Sequence, residues 1–472
     1  MQGMGFSSGS ANRQAGRLNR RPCQPFRINS FVTRDGARRP TLRSVFAPGQ
    51  LTKQRSSLVK QSQSATRVLF LSPHYPPDVA ATGQLIAELA EDLVSSGHEA
   101  IVIASRPSYT EGTSRPYRLL ERELRDGVEI HWLGVPGAGR RGIWSRLLPF
   151  AGYFVAAIMR AMFIRRVDVV FAQSTPPLLA GLLAAMLAVM PNRRFVYNLQ
   201  DVYPELGQAL GVLGDGPITR LSRRVESGLR RRADVVTVLA QDMKERVLDS
   251  DPQLDNVSII PNWADSARVT PVAPADNTFL SEHGLADRFV VMYSGNLGRA
   301  HGVEILPEVA EKLADLDDLI LLIVGAGPAK ESVSESVRAR GLKNVVFLPY
   351  QHKERLKESL STADVALILQ RRSASGLVVP SKIYGIMASG RPAVAAVPQD
   401  SEVARVLQDE QAGLVVEPGS AQGIADAVRD LYGNRSDALA MGNKARLAAV
   451  DRYDRSLITG RYINLLTQLK TT

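Results

Sequence analysis

Residues 373–398 read Ser-Ala-Ser-Gly-Leu-Val-Val-Pro-Ser-Lys-Ile-Tyr-Gly-Ile-Met-Ala-Ser-Gly-Arg-Pro-Ala-Val-Ala-Ala-Val-Pro, and this run decides the fold class. A small-residue loop around Gly376 leads into Val378-Val379-Pro380-Ser381. Pro380 and Ser381 suit the first turn and cap of a helix. The spacing turns Ile383, Ile386 and Met387 inward, Gly390 ends the helix, and Arg391-Pro392 prevents its continuation. Ala393–Val397 then reads as a buried strand. A helix start that carries Lys382 and free backbone N–H groups suits an anion, phosphate above all. An ordinary loop, helix and strand of an α/β domain has the same outline, so the decision rests on what surrounds the run.

Outward from it, the same rhythm repeats. Before it stand apolar runs at 289–293, 319–324, 345–348 and 365–369, and after it one at 413–416, with helical spacing between them. Nearer the N-terminus a first series has strands at 68–71, 100–104, 128–133, 168–172, 194–199 and 234–239, and a helix over about 83–96. Strands that alternate with helices make doubly wound parallel sheets. The periodicity breaks between Trp263 and His283, where Pro271, Pro274 and Asn277 intervene. The sequence therefore predicts an α/β protein of two Rossmann-like domains facing a cleft, over residues 66–270 and 284–455. A last helix, in 456–472, is expected to cross back to the first domain. A ligand site is expected in the cleft.

The chain has 472 residues, 44% of them hydrophobic, and a net charge of +11. Residues 1–65 hold twelve Lys and Arg against one acid, Asp35, so the whole excess lies there and the body is balanced. No nucleic-acid surface is implied. The segment 1–65 reads as a disordered basic extension. Its composition fits a transit peptide, a lipid-touching tail or translation upstream of the true start, and the last is favoured. The single cysteine, Cys23, lies in it, so there is no disulfide framework, as in a cytosolic protein.

Two apolar stretches fall short of a membrane span. Residues 178–190 read as a core helix. Residues 147–163 fit either a core helix or one lying on a membrane, with Leu147, Leu148, Phe150, Phe154, Ala157 and Ile158 as its apolar face. Arg140, Arg141, Arg146, Arg160, Arg165 and Arg166 ring it.

The set Pro73-His74-Tyr75-Pro76-Pro77, Asp201-Val202-Tyr203-Pro204-Glu205, Ile260-Pro261-Asn262-Trp263, Tyr293-Ser294-Gly295-Asn296-Leu297-Gly298 and Val324-Gly325-Ala326-Gly327-Pro328, with 376–397, resembles family 4 of the retaining glycosyltransferases with the two-domain GT-B fold. The likeness runs from Arg67 to about residue 455 and is nearest the bacterial branch of O-antigen and colanic-acid fucosamine transferases. It implies transfer of a sugar from a nucleotide donor, UDP-linked, to a lipid-linked or growing-glycan acceptor. It implies a cytoplasmic enzyme peripheral to the inner membrane. No metal or cofactor is expected, because the sequence shows no His/Cys cluster.

Such a reaction needs positive groups at the departing diphosphate and an acid near the acceptor. Lys382 and Arg299 are the candidate cations and Asp201 the candidate acid. Gly295, Asn296 and Gly298, with Gly325 and Gly327, would bring backbone close to phosphate and base. The resemblance places Tyr350 by the base and the backbone of Gly376, Leu377 and Val378, with Pro380 and Ser381, at the sugar and phosphates. Glu402 is a candidate for the ribose. His74, Thr82 and Gly83 would face the cleft from the first domain. The sequence departs from the family at four points. Asn296 and His301 stand where an Arg and a Lys are frequent, and Leu377 and Gly385 replace a pair of glutamates. That departure keeps two rivals open, a non-catalytic nucleotide-sugar-binding scaffold and an epimerase of the same fold. Donor hydrolysis without acceptor, binding without turnover, and release of an epimer would tell the three apart.

Overall fold

The structure, a computed structural model, describes residues 65–78, 80–106, 119–134 and 143–471, and only the backbone of 143–151 and 471. The basic extension with Cys23, the arginines at 140 and 141, and the side chains of Leu147, Leu148, Phe150 and Arg146 lie outside that description.

The first domain contains strands β1 (Arg67–Leu71), β2 (Glu99–Ser105), β3 (Leu120–Arg125), β4 (Val128–Leu133), β5 (Val169–Gln173), β6 (Arg194–Asn198), β7 (Val235–Val238) and β8 (Val257–Ile259). Its helices are α1 (Ala81–Ser95), α2 (Ile143–Met162), α3 (Leu179–Leu187), α4 (Glu205–Ala209), α5 (Pro217–Arg232) and α6 (Gln241–Ser250). The sheet order is β3-β4-β2-β1-β5-β6-β7-β8, parallel except for β3. Runs such as Val68-Leu69-Phe70-Leu71 are unbroken rather than alternating because helices cover both faces of a parallel sheet.

The second domain repeats the plan with β9 (Phe289–Ser294), β10 (Leu319–Val324), β11 (Val345–Leu348), β12 (Val365–Leu369), β13 (Ala393–Ala396) and β14 (Gly413–Val416), in the order β11-β10-β9-β12-β13-β14, all parallel. Helices α7 (Thr278–Glu282), α8 (Leu306–Lys312), α9 (Lys330–Ala339), α10 (Leu356–Ser361), α11 (Lys382–Ala388), α12 (Glu402–Asp409), α13 (Ala421–Gly433) and α14 (Arg435–Arg452) flank it. The strand order reverses direction at β1/β5 in one sheet and at β9/β12 in the other. Those switch points open crevices at the carboxyl ends of the strands.

A final helix, α15 (Arg455–Thr471), lies against α1 of the first domain. Ile458, Tyr462 and Leu466 enter the cluster around Val68, Phe70 and Phe171. The Tyr462 hydroxyl accepts from Asn198 at 2.9 Å. Arg455 binds Asp92 and Glu91 of α1 at 2.6 and 2.9 Å. The two passages of chain between the domains run side by side. Ala264 pairs with Asp454 in a parallel bridge, its N–H donating to Tyr453 O at 3.1 Å and its carbonyl accepting from Arg455 N–H at 2.9 Å.

The described part of the expected apolar face of residues 147–163, Phe154, Ala157 and Ile158, turns toward the core as in a core helix. Ala157 is fully buried, and Tyr153 and Ala161 join it in the first-domain core. Phe154 and Ile158 pack partly against that core. The side of α2 that faces solvent carries Val155, Met159 and Met162 instead. The exposed residues lie about 100° around the helix from the face first assigned.

Candidate active site

Loops after β9 and β10 form the floor of the second domain's crevice. Gly325 and Gly327 have φ of +144° and +152°, which favours glycine. A Cβ on Gly325 would stand 2.0 Å from Gly295 O, and one on Gly327 2.6 Å from Leu297 O. Leu297 N–H donates to Ala326 O at 2.9 Å. These glycines let two loops lie on one another. They were expected to admit phosphate or base, and the contact they make is with 295–297.

Lys382 stands over this floor. It opens α11, whose Ile383, Ile386 and Met387 are buried, so its direction is fixed by the helix behind it. Its Nζ lies 3.5 Å from the centroid of the Tyr293 ring. It is also 3.2 Å from where a Gly295 Cβ would be. The Nζ is covered and has no hydrogen-bond partner. Burial pushes the ammonium down to about 7. The ring face offsets part of the desolvation. His301 lies near enough that Lys382 adds to burial in holding its imidazole down to about 4, so it is neutral at pH 7. Its Nδ1 is buried without a partner. A cavity of about 440 Å³ adjoins it, lined also by Glu304, Gln370, Arg371 and Ser373. Gln370 donates to Ala374 O and Val378 O at 3.2 and 2.8 Å, and its Oε1 has no partner. The Gln370 Oε1 was not singled out from sequence, and His301 stood out there only as a departure from the resembled family. A polar residue at the end of an apolar strand was the available signal for Gln370.

Asp201 faces this region from the first domain, just beyond β6. Burial pushes its carboxyl up to about 6, against a hydrogen bond from Tyr203 that favours the charged form. Ser174 holds the Asp201 carbonyl at 2.9 Å. Asp201 and Val378 form an antiparallel bridge, and Val202 N–H donates to Leu377 O at 2.8 Å. The loop 374–379 thus crosses into the first domain. Ala374, Leu377 and Val379 belong to the first-domain core cluster. Gly376, at φ +68°, lies on α6, where a Cβ would come within 2.7 Å of Arg246 Cγ and 3.0 Å of Asp242 O.

The structure therefore brings together Asp201, Gly376, Leu377 and Val378 at one seam and Lys382, Gly295 and His301 beside it. The Leu377 side chain anchors the seam in the first-domain core. Pro380 is buried and Ser381 is half-buried, and the Ser381 side chain makes no cap hydrogen bond, contrary to expectation. Arg299 and Asn296 are exposed, with Arg371 Nε donating to Arg299 O at 2.8 Å. Gly298 is buried, with Asn296 Nδ2 3.0 Å from its Cβ position. Tyr350 is 47% exposed at the end of β11. Glu402 does not offer its carboxylate to a ribose. Both oxygens bind Arg405, at 2.6 and 3.1 Å, while its N–H reaches Asp242 at 3.3 Å. His74 Nδ1 and Asp78 are 2.6 Å apart. Gly83 is corrected too, since its Cβ would stand 2.8 Å from the His74 backbone and its role is to seat α1 there. Thr82, half-buried, lies in the first turn of that helix.

Residues 277–448 match the family described as glycosyl transferases group 1, and residues 81–263 match the glycosyl transferase 4-like domain. A putative colanic acid biosynthesis glycosyl transferase, WcaI of Escherichia coli K12, is 28% identical over 379 residues, covering 77% of this chain and 91% of that protein. A probable glycosyltransferase, WbjE of Pseudomonas aeruginosa, is 28% identical over 59% of this chain and 69% of its own. Among solved structures, a sucrose-phosphate synthase from Thermosynechococcus elongatus superposes with a TM-score of 0.67 at 19% identity, over 86% of this chain and 99% of that one. Anabaena HepE in complex with UDP gives 0.63 at 16% identity, over 85% and 100%.

Proposed function

We propose, from the premise that the chain belongs to the family 4 glycosyltransferases of GT-B fold, that it moves a hexosyl or N-acetylhexosaminyl unit from a UDP-linked donor to a lipid-linked or growing-glycan acceptor, with retention, at the cytoplasmic face of a membrane. The names of WcaI and WbjE support an assignment to cell-surface polysaccharide synthesis. HepE, solved with UDP and with UDP-glucose, supports the donor class.

One observation carries the reading. A buried ammonium without a partner, Lys382 Nζ, stands beside the Gly295 loop at the strand switch point. An uncompensated buried cation is costly, and a diphosphate is the anion that would offset it. Charge grows on the diphosphate as the sugar leaves, so Lys382 stabilises the transition state more than the ground state. It takes over the place of the family cations absent at Asn296 and His301, and no metal is needed for that charge. The neutral His301 and the Gln370 Oε1 offer hydrogen bonds to sugar hydroxyls in place of the missing glutamates. Asp201, ionised above about pH 6, orients the acceptor hydroxyl.

A panel of nucleotide sugars followed by nucleoside-diphosphate release, in EDTA, tests the whole. Lys382→Ala is expected to lower kcat/KM by roughly 2–4 kcal/mol, mostly in kcat. Unchanged kcat/KM removes Lys382 from the chemistry. Tight UDP binding with no turnover on any donor and acceptor returns the scaffold reading.

A further inference from the structure

Gln370, the first residue after β12, uses its side chain to hold a bend of the chain. Its Nε2 donates to Ala374 O at 3.2 Å and to Val378 O at 2.8 Å. Both partners are carbonyl oxygens, so the amide can sit only one way round, with its nitrogen on the bend. Inside the bend Leu377 N–H donates to Ala374 O at 3.2 Å. The far arm of the bend is the part that meets the first domain. Val378 bridges Asp201, and Leu377 O accepts from Val202 N–H at 2.8 Å. One side chain of the second domain thus fixes the segment against which the Asp201 backbone lies.

The other end of that side chain is unmet. Gln370 is 4% exposed, and its Oε1 has no partner among the described residues. The residue is held in place, since its backbone N–H donates to Ala396 O at 3.0 Å. Arg371, next in sequence, is tied to the 299–304 loop, through its N–H to Ala300 O and its guanidinium to Glu304, both at 2.9 Å. That loop brings the unpartnered His301 Nδ1 to the cavity that Gln370 lines. A buried amide oxygen whose own N–H groups are committed can only accept, and it calls for a hydroxyl or N–H from a ligand. The diphosphate placed beside Lys382 carries no such donor, whereas the sugar beyond it carries several.

We propose that Gln370 is a positioning residue that couples occupancy of the sugar site to the setting of Asp201. The inference rests on the donor reading above and adds to it a line from donor to acceptor. A sugar hydroxyl on Oε1 offsets the burial of that oxygen in this one orientation. It thereby stabilises the grip on Ala374 and Val378, and with it the pairing of 377–378 with 201–202. In the empty site the grip is weaker, so Asp201 is set for an acceptor hydroxyl once a sugar is in place.

Hydrogen exchange at the Val202 amide reads the pairing directly, because that N–H is the one bound to Leu377 O. Exchange is followed on the full chain alone, with saturating UDP, and with UDP-glucose or UDP-N-acetylglucosamine. The sugar nucleotides are expected to slow it by roughly three- to tenfold beyond UDP, the effect of one hydrogen bond. Gln370→Met is expected to abolish that difference. Gln370→Glu keeps an acceptor oxygen and loses both amide N–H groups. It is expected to retain binding of the sugar nucleotide without the added protection, and to lose more in kcat than in donor KM. Equal exchange with UDP and with the sugar nucleotides in the parent overturns the coupling. So does a variant that keeps the difference while exchanging faster in every state, which is the behaviour of a merely structural residue. If the parent binds neither UDP nor a sugar nucleotide, the donor reading itself fails, whereas binding without added protection removes the coupling alone.

Discussion

Lys382 is where one residue concentrates the chemistry. A free lysine titrates near 10.5, and here the value is about 7. Between those values the unfolded chain holds the proton that the folded, unliganded protein has released. Its stability therefore rises with pH across that window. A bound diphosphate reverses the preference, because it stabilises the ammonium. UDP binding above pH 7 is thus expected to take up a proton, and affinity to fall as pH rises from 7.5 to 9.5, by up to about tenfold per unit. Titration calorimetry in buffers of different ionisation enthalpy measures the uptake. Lys382→Met is expected to flatten the slope, and a parent with no slope would show that the ammonium does not meet the phosphates. The lysine itself was legible from sequence, through its place at a helix start after Pro-Ser. Its burial over Tyr293 was not, since nothing local in 380–383 says which ring will lie beneath it. Gly325 and Gly327 show the opposite limit. The need for glycine was legible, but the loop 30 residues away on which they lie was not.

At the scale of elements, β6, α4 and α5 are joined by a buried charged group under the Asp201 loop. The Tyr197 hydroxyl donates to both Glu226 oxygens, at 2.9 and 3.1 Å. Arg230 binds Asp251 at 3.4 Å and donates to Tyr203 O at 3.2 Å. Burial pushes the Glu226 carboxyl up to about 7, in spite of Arg230. Its folded value exceeds its unfolded one, so the stability it contributes is complete below about pH 4.5 and is lost as pH rises through 7. Glu226→Gln is expected to gain on the parent between pH 5 and pH 8 by on the order of 1–3 kcal/mol in urea unfolding. Equal pH profiles would mean that Glu226 stays charged throughout. The strands with unbroken apolar runs were legible because burial on both faces writes itself into composition. β3 was not, for the reason that Leu-Glu-Arg-Glu-Leu-Arg is an exposed edge paired on one side only, with Leu124 74% exposed. The apolar face of α2 was legible at Phe154, Ala157 and Ile158, but whether it meets core or membrane was not, because Val155 and Met159 beside it are apolar too. Periodicity cannot choose between two apolar sides of a helix.

Across the whole molecule, two sheets meet at the 374–379 seam and are joined again by α15. That seam was not legible, because 373–398 reads as one loop, helix and strand of the second domain, whereas Leu377 and Val379 fill the first. The parallel passages at Ala264 and Asp454 carry a further meaning. Both ends of the first domain's interruption lie within hydrogen-bond distance, Arg455 N–H on Ala264 O at 2.9 Å. In topological terms the second domain is a cassette inserted into the first, and the first is discontinuous in sequence yet rejoined in space at 264 and 455. Joining 264 to 455 through a short glycine linker is expected to give a shortened chain that unfolds cooperatively, keeping the Asn198–Tyr462 hydrogen bond. Calorimetry and proteolysis of that chain measure it, and a molten, protease-labile product would show that the first domain depends on its guest. Exchange of the segment between 265 and 454 for that of another family member then becomes a replacement with one entry and one exit, both at a single point of the host.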